Sequence, residues 1–268
     1  MSIGKDIKDV RHVDNRIVKI MGDNSVLWEF PQDDKIGAPG NRTLLAGTME
    51  AGWFGEVPAS DFITGDELAK VVGLTAGSRK YSNAPWLKFA YKGNVLLVSK
   101  KHIRSEVLWT DFENLNCVDG SRILTIKGKR YRIMLMKGCN EEFKTKAEYS
   151  FSDMENPKIY INSMWNKLML PIHENAPDKW YKEDPVKIPT DDWNVNYTDS
   201  DLNVSSSTIC QEDFVSVQFS KPWESVRKYK RVVLRGRTRM SVQNNGPGAE
   251  DGQRNYRVGW RPCLELIR

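Results

Sequence analysis

The C-terminal segment, from residue 231 to the end, constrains the fold of this chain more than any other part. Residues 232–234 form a short apolar run (Val-Val-Leu), followed by a hydrophilic stretch rich in Gly and Asn and a last segment that begins with Gly259-Trp260-Arg261-Pro262. The apolar residues after Pro262 have the spacing of a short strand with at least one buried face. The pattern predicts that the chain end closes the edge of a sheet, held there by Trp260 and Arg261 as buried structural residues.

Strand signals dominate the middle of the chain. Residues 86–98 and residues 121–135 each contain two apolar runs on either side of a turn, centred on Gly93 and on Gly128. Such a pattern is typical of β-hairpins. Two antiparallel pairs are therefore expected here.

Helical signals are few and short. Thr64 can cap a helix with Glu67 three residues later, and Gly73 is a natural stop, so a helix is predicted over residues 66–72. A second helix is expected over Ser163 to Leu170, with Trp165 on its apolar face. The fold class predicted from these elements is α+β, mostly antiparallel β with few short helices.

The first thirty residues have the pattern of a β-hairpin. The turn signal Gly22-Asp23-Asn24 separates two short apolar runs. A two-stranded hairpin is marginally stable by itself in water, so it is expected to pack on something else, such as a partner subunit. The candidate partner-binding residues are Ile17, Val18, Ile20, Val26 and Trp28.

Several segments resemble known proteins. "RVVLRG" at 231–236, the polar loop after it and "GWRP" at 259–262 resemble the end of a C-type-lectin-like domain of the formylglycine-generating-enzyme type. "GDELAKVVGLTAGS", "PWLKFAYKGNVLLVSKKHIR", "CVDGSRILTIKGKRYRIMLMKG", "WNKLMLPI", "TICQE" and "GWRPCLEL" occur in an order similar to a group of bacteriophage virion and tail-associated proteins. The resemblance covers roughly residues 60–268, and the first thirty residues resemble the attachment segment of phage tail-associated proteins.

The resemblance implies a division of the chain and a function. Residues 1–30 would be an attachment hairpin, residues 31–60 a linker, and residues 61–268 a β-rich region that ends in a loop-rich lectin-like domain from about residue 105. The expected function is that of a non-enzymatic structural protein of the virion, in its tail, collar or fibre. The expected partners are other virion proteins, further copies of the chain and a host cell-surface glycan.

Composition agrees with a folded protein that is made and assembled in a cytoplasm, which the resemblance implies to be that of the host in which the virion forms. The chain has 268 residues, of which 28% are charged and 40% hydrophobic, and its net charge is +5. No apolar run is long enough for a membrane span, and the N-terminus is too polar for a signal peptide. Local basic clusters occur within residues 100–104, 127–132 and 227–231, but none repeats on a helix or accompanies a recognised binding motif, so no nucleic-acid partner is expected. Since no segment could span a membrane, no membrane partner is expected either.

The chain contains nine tryptophans. Trp86, Trp165 and Trp260 lie in apolar segments and are expected in the core. Trp180, Trp193 and Trp223 lie in loop-like segments, where exposed rings could stack on sugars. An alternative function is therefore a carbohydrate-binding module that recognises the host receptor.

Residues that could bind a metal or perform catalysis are sparse. Asp199, Asp201 and Asn203 have the spacing with which calcium loops begin, but the central Gly and the terminal Glu are missing, which favours a turn rich in Asp and Asn. We keep them as candidate ligand-binding residues and expect no metal, no cofactor and no catalytic residue. The four cysteines are expected as buried free thiols. An oxidase of the formylglycine-generating type, using Cys210 and Cys263, is the least favoured alternative.

Overall fold

The chain divides into two compact units, which the computed structural model places at Met1–Gly37 and Ala38–Ile267. The structure describes residues 9–13, 16–21, 26–29, 37–150, 153–154, 157–174, 192–203, 206–218, 227–236 and 256–267. Before residue 37 this description covers the backbone of the strands.

The first unit is an antiparallel sheet with the strand order β1-β2-β3. The strands are β1 (Asp9–Val13), β2 (Arg16–Met21) and β3 (Val26–Glu29). β2 and β3 pair across the predicted turn, with Ile20 opposite Trp28. β1 pairs with the other edge of β2 and was not expected from the sequence. The candidate partner-binding residues lie in β2 (Ile17, Val18, Ile20) and in β3 (Val26, Trp28).

The second unit contains the remaining strands and all the helices of the described residues. Its strands are β4 (Ala46–Gly47), β5 (Ala51–Val57), β6 (Ser78–Arg79), β7 (Trp86–Tyr91), β8 (Asn94–Ser99), β9 (Arg104–Ser105), β10 (Asp119–Ile126), β11 (Lys129–Met134), β12 (Glu148–Ser150), β13 (Ser207–Gln218), β14 (Arg227–Arg235), β15 (Val258–Trp260) and β16 (Cys263–Leu266). Its α-helices are α1 (Gly65–Val72), α2 (Trp109–Glu113) and α3 (Met164–Leu168), and short 3-10 turns occur at Ala59–Asp61 and Pro157–Ile159.

These strands form two sheets. The larger is seven-stranded, with the order β10-β11-β16-β8-β7-β5-β4, and all its pairs are antiparallel. The smaller has the order β12-β13-β15-β9-β6, with β14 paired to β13, and it includes short parallel pairings of β13 with β12 and with β15. The predicted fold class, mostly antiparallel β with few short helices, is confirmed, as are the hairpins β7–β8 and β10–β11.

The C-terminal strand does not close a sheet edge. β16 lies in the middle of the larger sheet, where Leu264 pairs with Ile133 of β11 on one side and with Leu97 of β8 on the other. The prediction of a buried strand is confirmed, but its position is different. Because β16 joins the two predicted hairpins, the larger sheet forms only when the last residues of the chain are in place.

The predicted linker over residues 31–60 also needs correction. Residues 51–57 form β5, which pairs with β7, and Trp53 and Phe54 are buried. The predicted domain boundary near residue 105 also has no structural counterpart, because strands that precede and strands that follow this residue in the sequence belong to the same larger sheet. Pro, Gly, Asp and Asn residues over 31–48 indicated the linker, but they do not extend to β5, where Gly52 is a strand residue at which a Cβ would lie 2.3 Å from the carbonyl oxygen of Thr48.

Helix ends follow local capping rules. At the start of α1, Thr64 accepts a hydrogen bond from the Glu67 N–H while the Glu67 carboxylate accepts from the Thr64 N–H, and Gly73 ends the helix in the left-handed conformation. This confirms the predicted helix. α3 confirms the second prediction, with Ser163 as its cap. α2 was not predicted from the sequence.

Both faces of the larger sheet are covered, which is why every residue of β7 is buried. On one face, Leu87 and Phe89 pack in a cluster that contains Trp165 and Leu168 of α3. On the other face, the Trp86 indole donates a 2.7 Å hydrogen bond to the carbonyl of Ile63, just before α1. One core cluster therefore contains side chains from distant parts of the sequence, from Trp53 in β5 to Cys263 in β16.

Candidate functional site

Strand β13 presents its alternate side chains to two different environments. Cys210 and Phe214 belong to a hydrophobic cluster with Cys139 and Val233. Side chains at every second position of a strand point to the same face. Gln211 and Asp213 therefore point away from this cluster, and both line a cleft at the protein surface.

The residue between them, Glu212, is used internally. Its carboxylate accepts hydrogen bonds from the backbone N–H groups of Gly138 (3.0 Å) and Cys139 (3.1 Å). Burial raises its pKa, and the two N–H donors act in the opposite direction. Gly138 permits this approach, since a Cβ at that position would lie 2.8 Å from the Cys210 sulfur. Glu212 is thus a structural carboxylate.

A cleft of about 530 Å³ opens between α2, the start of β10 and β13. This volume is within the range typical of small-molecule sites, about 300 to 1,000 Å³. The charged groups that line it are Glu113, Asp119 and Asp213 on the acidic side and Lys137 and Lys146 on the basic side. The cleft is therefore polar and close to electrically balanced; we call it the α2–β13 cleft.

Asp213 is the most unusual group in the α2–β13 cleft. The residue is only 4% exposed, and burial raises the pKa of its carboxyl, while Lys230 and Lys146 partly offset that effect. None of the described residues donates a hydrogen bond to this carboxylate; besides the two lysines, its own backbone N–H lowers the pKa and Glu113 raises it. A buried carboxylate normally accepts two or three hydrogen bonds. Asp213 thus has spare acceptor capacity directed into a cleft.

One wall of the cleft is held rigidly. The Trp109 indole donates a 3.1 Å hydrogen bond to the backbone carbonyl of Gln211, and the Gln211 amide nitrogen donates to the carbonyl of Val118 at 3.0 Å. The ammonium of Lys230 lies 4.7 Å from the Trp109 ring centroid and 3.8 Å from a carboxylate oxygen of Glu113. Because the Gln211 nitrogen faces a carbonyl, its amide oxygen remains as an acceptor.

A second polar cluster lies deep in the core. Arg261 is 1% exposed and donates hydrogen bonds to the backbone carbonyls of Ser99 (2.9 Å), Lys100 and Leu202. Burial lowers its pKa to about 9. Together with His102, Thr208 and Asn203, this arginine forms what we call the Arg261 network. It joins β8, the segment before β13 and the C-terminal strands.

His102 is a neutral, fully buried member of the Arg261 network. Asn203 donates through its amide nitrogen to Nδ1 of His102 at 2.9 Å, so Nε2–H donates to the hydroxyl oxygen of Thr208 at 2.8 Å. Burial, and then the charge of Arg261, lower the His102 pKa well below its ordinary value. Gly259 is required beside it, since a Cβ there would lie 2.6 Å from the imidazole.

The acidic residues that resembled the start of a calcium loop do not converge. The Asp199 carboxylate lies 3.0 Å from Nε2 of His173. Asp201 accepts hydrogen bonds from the backbone N–H (2.9 Å) and hydroxyl (2.7 Å) of Thr198. Asn203 belongs to the Arg261 network. Each of the three therefore contacts a different internal partner, as expected for a turn.

Of the three tryptophans predicted to bind a ligand, the structure describes only Trp193. Trp193 is only 7% exposed, and its ring packs against Phe89 with the centroids 6.3 Å apart. This corrects the expectation of an exposed ring. The backbone N–H of Trp193 donates a hydrogen bond to the carbonyl of Pro171, and the side chain packs in the core. Trp180 and Trp223 lie outside the described residues.

The residues predicted as structural are deeply buried. Trp86, Trp165, Trp260 and Arg261 are among the largest fully buried side chains of the described residues. Trp260 packs against Phe112 of α2, with ring centroids 5.2 Å apart.

All four cysteines are buried free thiols, which confirms the expectation. Cys210 and Cys263 belong to separate hydrophobic clusters, and burial raises the pKa of both thiols. A thiol with a raised pKa is a poor nucleophile at neutral pH. Cys210 and Cys263 therefore have the surroundings of packing thiols, each in its own apolar cluster.

Comparison with protein-family models, with curated proteins and with solved structures gives no match. Within the ranges given above, no three or more His, Cys, Asp or Glu side chains gather in a way that could hold a metal ion. The described helices include none that combines the length and apolar character required to span a membrane.

Sequence reasoning missed the α2–β13 cleft. Its members lie at residues 109–121, 137–146 and 211–213, in segments with no shared motif. The one available signal was the order Gln211-Glu212-Asp213 inside an apolar strand, because polar groups at alternate strand positions indicate a solvated face.

Proposed function

We propose that the chain is a non-enzymatic structural protein of a bacteriophage virion, in its tail, collar or fibre, and that residues 1–30 dock it on a neighbouring virion protein. The support is the ordered set of segments over roughly residues 60–268 that resembles virion and tail-associated proteins. In this proposal the C-terminal part is a lectin-like domain presented at the particle surface, and assembly takes place in the host cytoplasm, with copies of the chain as further partners.

The observation that carries the docking proposal is the separate N-terminal sheet. Met1–Gly37 clusters apart from the rest of the chain, and β1 and β3 each pair along one edge only within the described residues. The outer edge of such a strand presents backbone N–H and C=O groups that can pair with another chain. In β-strand addition, these backbone groups supply affinity while alternate side chains supply specificity.

Deletion of residues 1–30 tests this proposal. The truncated chain is expected to fold, because Ala38–Ile267 has its own core, but to be absent from purified particles. Incorporation is measured by mass spectrometry of particles assembled in infected cells, and folding by thermal unfolding. Normal incorporation of the truncated chain would refute the docking role.

Substitutions in the untruncated chain distinguish a loss of docking from an effect of shortening the chain. Ile20→Ala combined with Trp28→Ala changes two positions that are paired across β2 and β3. The matched control is Leu45→Ala with Val71→Ala, two exposed apolar residues of the second unit. Incorporation is expected to fall for the first pair and to be unchanged for the control.

A further inference from the structure

We propose that the α2–β13 cleft is a binding site for a neutral saccharide, which it holds through the carboxylate of Asp213. The site lies in the second unit, and its lining does not include Trp193, which the sequence suggested as a ligand-binding residue. It does not depend on the virion role, since a structural protein of any assembly could carry it.

The carboxylate of Asp213 indicates the kind of contact. The residue is only 4% exposed and lines the cleft, and none of the described residues donates a hydrogen bond to its carboxylate. Two neighbouring hydroxyl groups of a sugar ring can donate to the two oxygens of one carboxylate. These are charge-assisted hydrogen bonds, roughly twice as strong as neutral ones. A vicinal diol therefore fits the spare capacity of this group.

The charge of the cleft argues for a neutral ligand. Three carboxylates (Glu113, Asp119 and Asp213) and two ammonium groups (Lys137 and Lys146) line the cleft, and the Lys230 ammonium lies 3.8 Å from a carboxylate oxygen of Glu113. A cation would be attracted by the carboxylates but repelled by the ammonium groups. An anion would be attracted by the ammonium groups but repelled by the carboxylates. A ligand with many hydroxyl groups can use both, since hydroxyls donate to carboxylates and accept from ammonium groups.

The remaining lining supplies neutral polar contacts and some apolar surface. The amide oxygen of Gln211 remains as an acceptor, because the amide nitrogen already donates a hydrogen bond to the carbonyl of Val118. Asn116 and Thr145 also line the cleft and add side-chain donors and acceptors. The edge of Trp109 and the side chain of Val118 offer apolar surface to the C–H groups of a sugar ring.

The buried position of Asp213 is also unfavourable for the stability of the folded protein when the carboxyl group is ionised. Burial raises its pKa, so the ionised form is disfavoured in the folded protein. Groups that are unfavourable for stability and lie in a cleft are frequent at functional sites. Burial also raises the pKa of the neighbouring Glu212, but two backbone N–H groups donate hydrogen bonds to its carboxylate, and its role is structural.

Binding is tested with the full-length chain and defined probes. Glucose, galactose and N-acetylglucosamine are titrated separately while saturation-transfer difference NMR records contact with the protein. The expected result is binding of at least one sugar, weakened about tenfold or more by Asp213→Asn, which replaces one charged acceptor oxygen. Asp61→Asn, an exposed carboxylate outside the cleft, is the matched control and should bind as the unchanged chain does.

Each outcome of this experiment decides the proposal. No saturation transfer from any of the three sugars, or equal binding by Asp213→Asn, would overturn it. Tighter binding of spermidine or of glucose 6-phosphate than of the neutral sugars would overturn the choice of ligand class. If Asp213→Asn does not fold, Asp213→Glu replaces it; the longer side chain moves the carboxylate oxygens away from the position that the proposal requires, and unchanged sugar binding by that variant would likewise contradict the proposal.

Discussion

The Arg261 network and the α2–β13 cleft are two polar regions that differ in how their charged groups are satisfied. In the network, Arg261 donates to three backbone carbonyls, and both ring nitrogens of His102 have partners. In the cleft, Asp213 is only 4% exposed, but none of the described residues donates a hydrogen bond to its carboxylate.

This difference separates a structural role from a binding role. A buried charge is tolerated when hydrogen bonds replace its lost hydration, and it then fixes the arrangement of the groups that supply them. A buried charge that lacks such bonds reduces stability unless a ligand supplies them. The comparison predicts opposite effects of neutralising substitutions in the two regions.

The largest effect is expected for Arg261→Met. The substitution leaves the carbonyls of Ser99, Lys100 and Leu202 buried without donors, and each such group costs about 1 to 3 kcal/mol. We expect the free energy of unfolding to fall by at least about 3 kcal/mol. Urea denaturation followed by tryptophan fluorescence measures it.

The control for that variant is Arg257→Met, an exposed arginine from the same end of the chain. Its effect should remain within about 0.5 kcal/mol. If Arg261→Met were equally mild, the Arg261 network would not be what holds the C-terminal strands in place.

A smaller effect is expected on acidification. The His102 pKa in the folded protein is well below its ordinary value of 6.5, so the unfolded chain takes up a proton first as the pH falls. Stability due to this group is present above pH 6.5 and decreases below it, by up to about 1.4 kcal/mol per pH unit. Unfolding of the unchanged chain and of His102→Gln is compared between pH 7 and pH 5.

The difference between the two chains isolates the histidine from groups that titrate in the opposite sense, such as Glu212, whose pKa is raised. The unchanged chain should lose more stability than His102→Gln over this interval. Parallel pH profiles for the two chains would show that His102 is not held neutral by the fold.

The smallest effect, and one of opposite sign, is expected for Asp213→Asn. The raised pKa of this carboxyl means that its contribution to stability is favourable at low pH and is lost as the pH rises through the folded-state value. At pH 7 the neutral amide should leave stability unchanged or increase it by up to about 1 kcal/mol. A loss above about 2 kcal/mol would place Asp213 with the structural charges of the Arg261 network.

Local sequence patterns predicted the elements that form from neighbouring residues. The capping box of Thr64 and Glu67 fixes the start of α1, and the turns at Gly93 and Gly128 fix the register of two hairpins. In each case the interacting groups are close along the chain, so residue type and spacing suffice.

Predictions about exposure were less successful in segments without regular structure. Trp193 lies in a polar stretch that reads as a surface loop, yet the structure buries its ring against Phe89. Local polarity does not report whether a single large side chain turns inward. That depends on the space left between β7 and the segment after α3, which residues far apart in the sequence define.

The sequence alone therefore determined the kind of elements, the antiparallel character of the hairpins and the burial of the last strand, because these follow from side-chain spacing and local hydrogen bonds. Only the tertiary structure decided that β16 lies between β11 and β8 and that Asp213 faces a cleft beside Trp109. Both depend on pairing between residues more than a hundred positions apart, where the gain in burial outweighs the entropy lost on closing long loops.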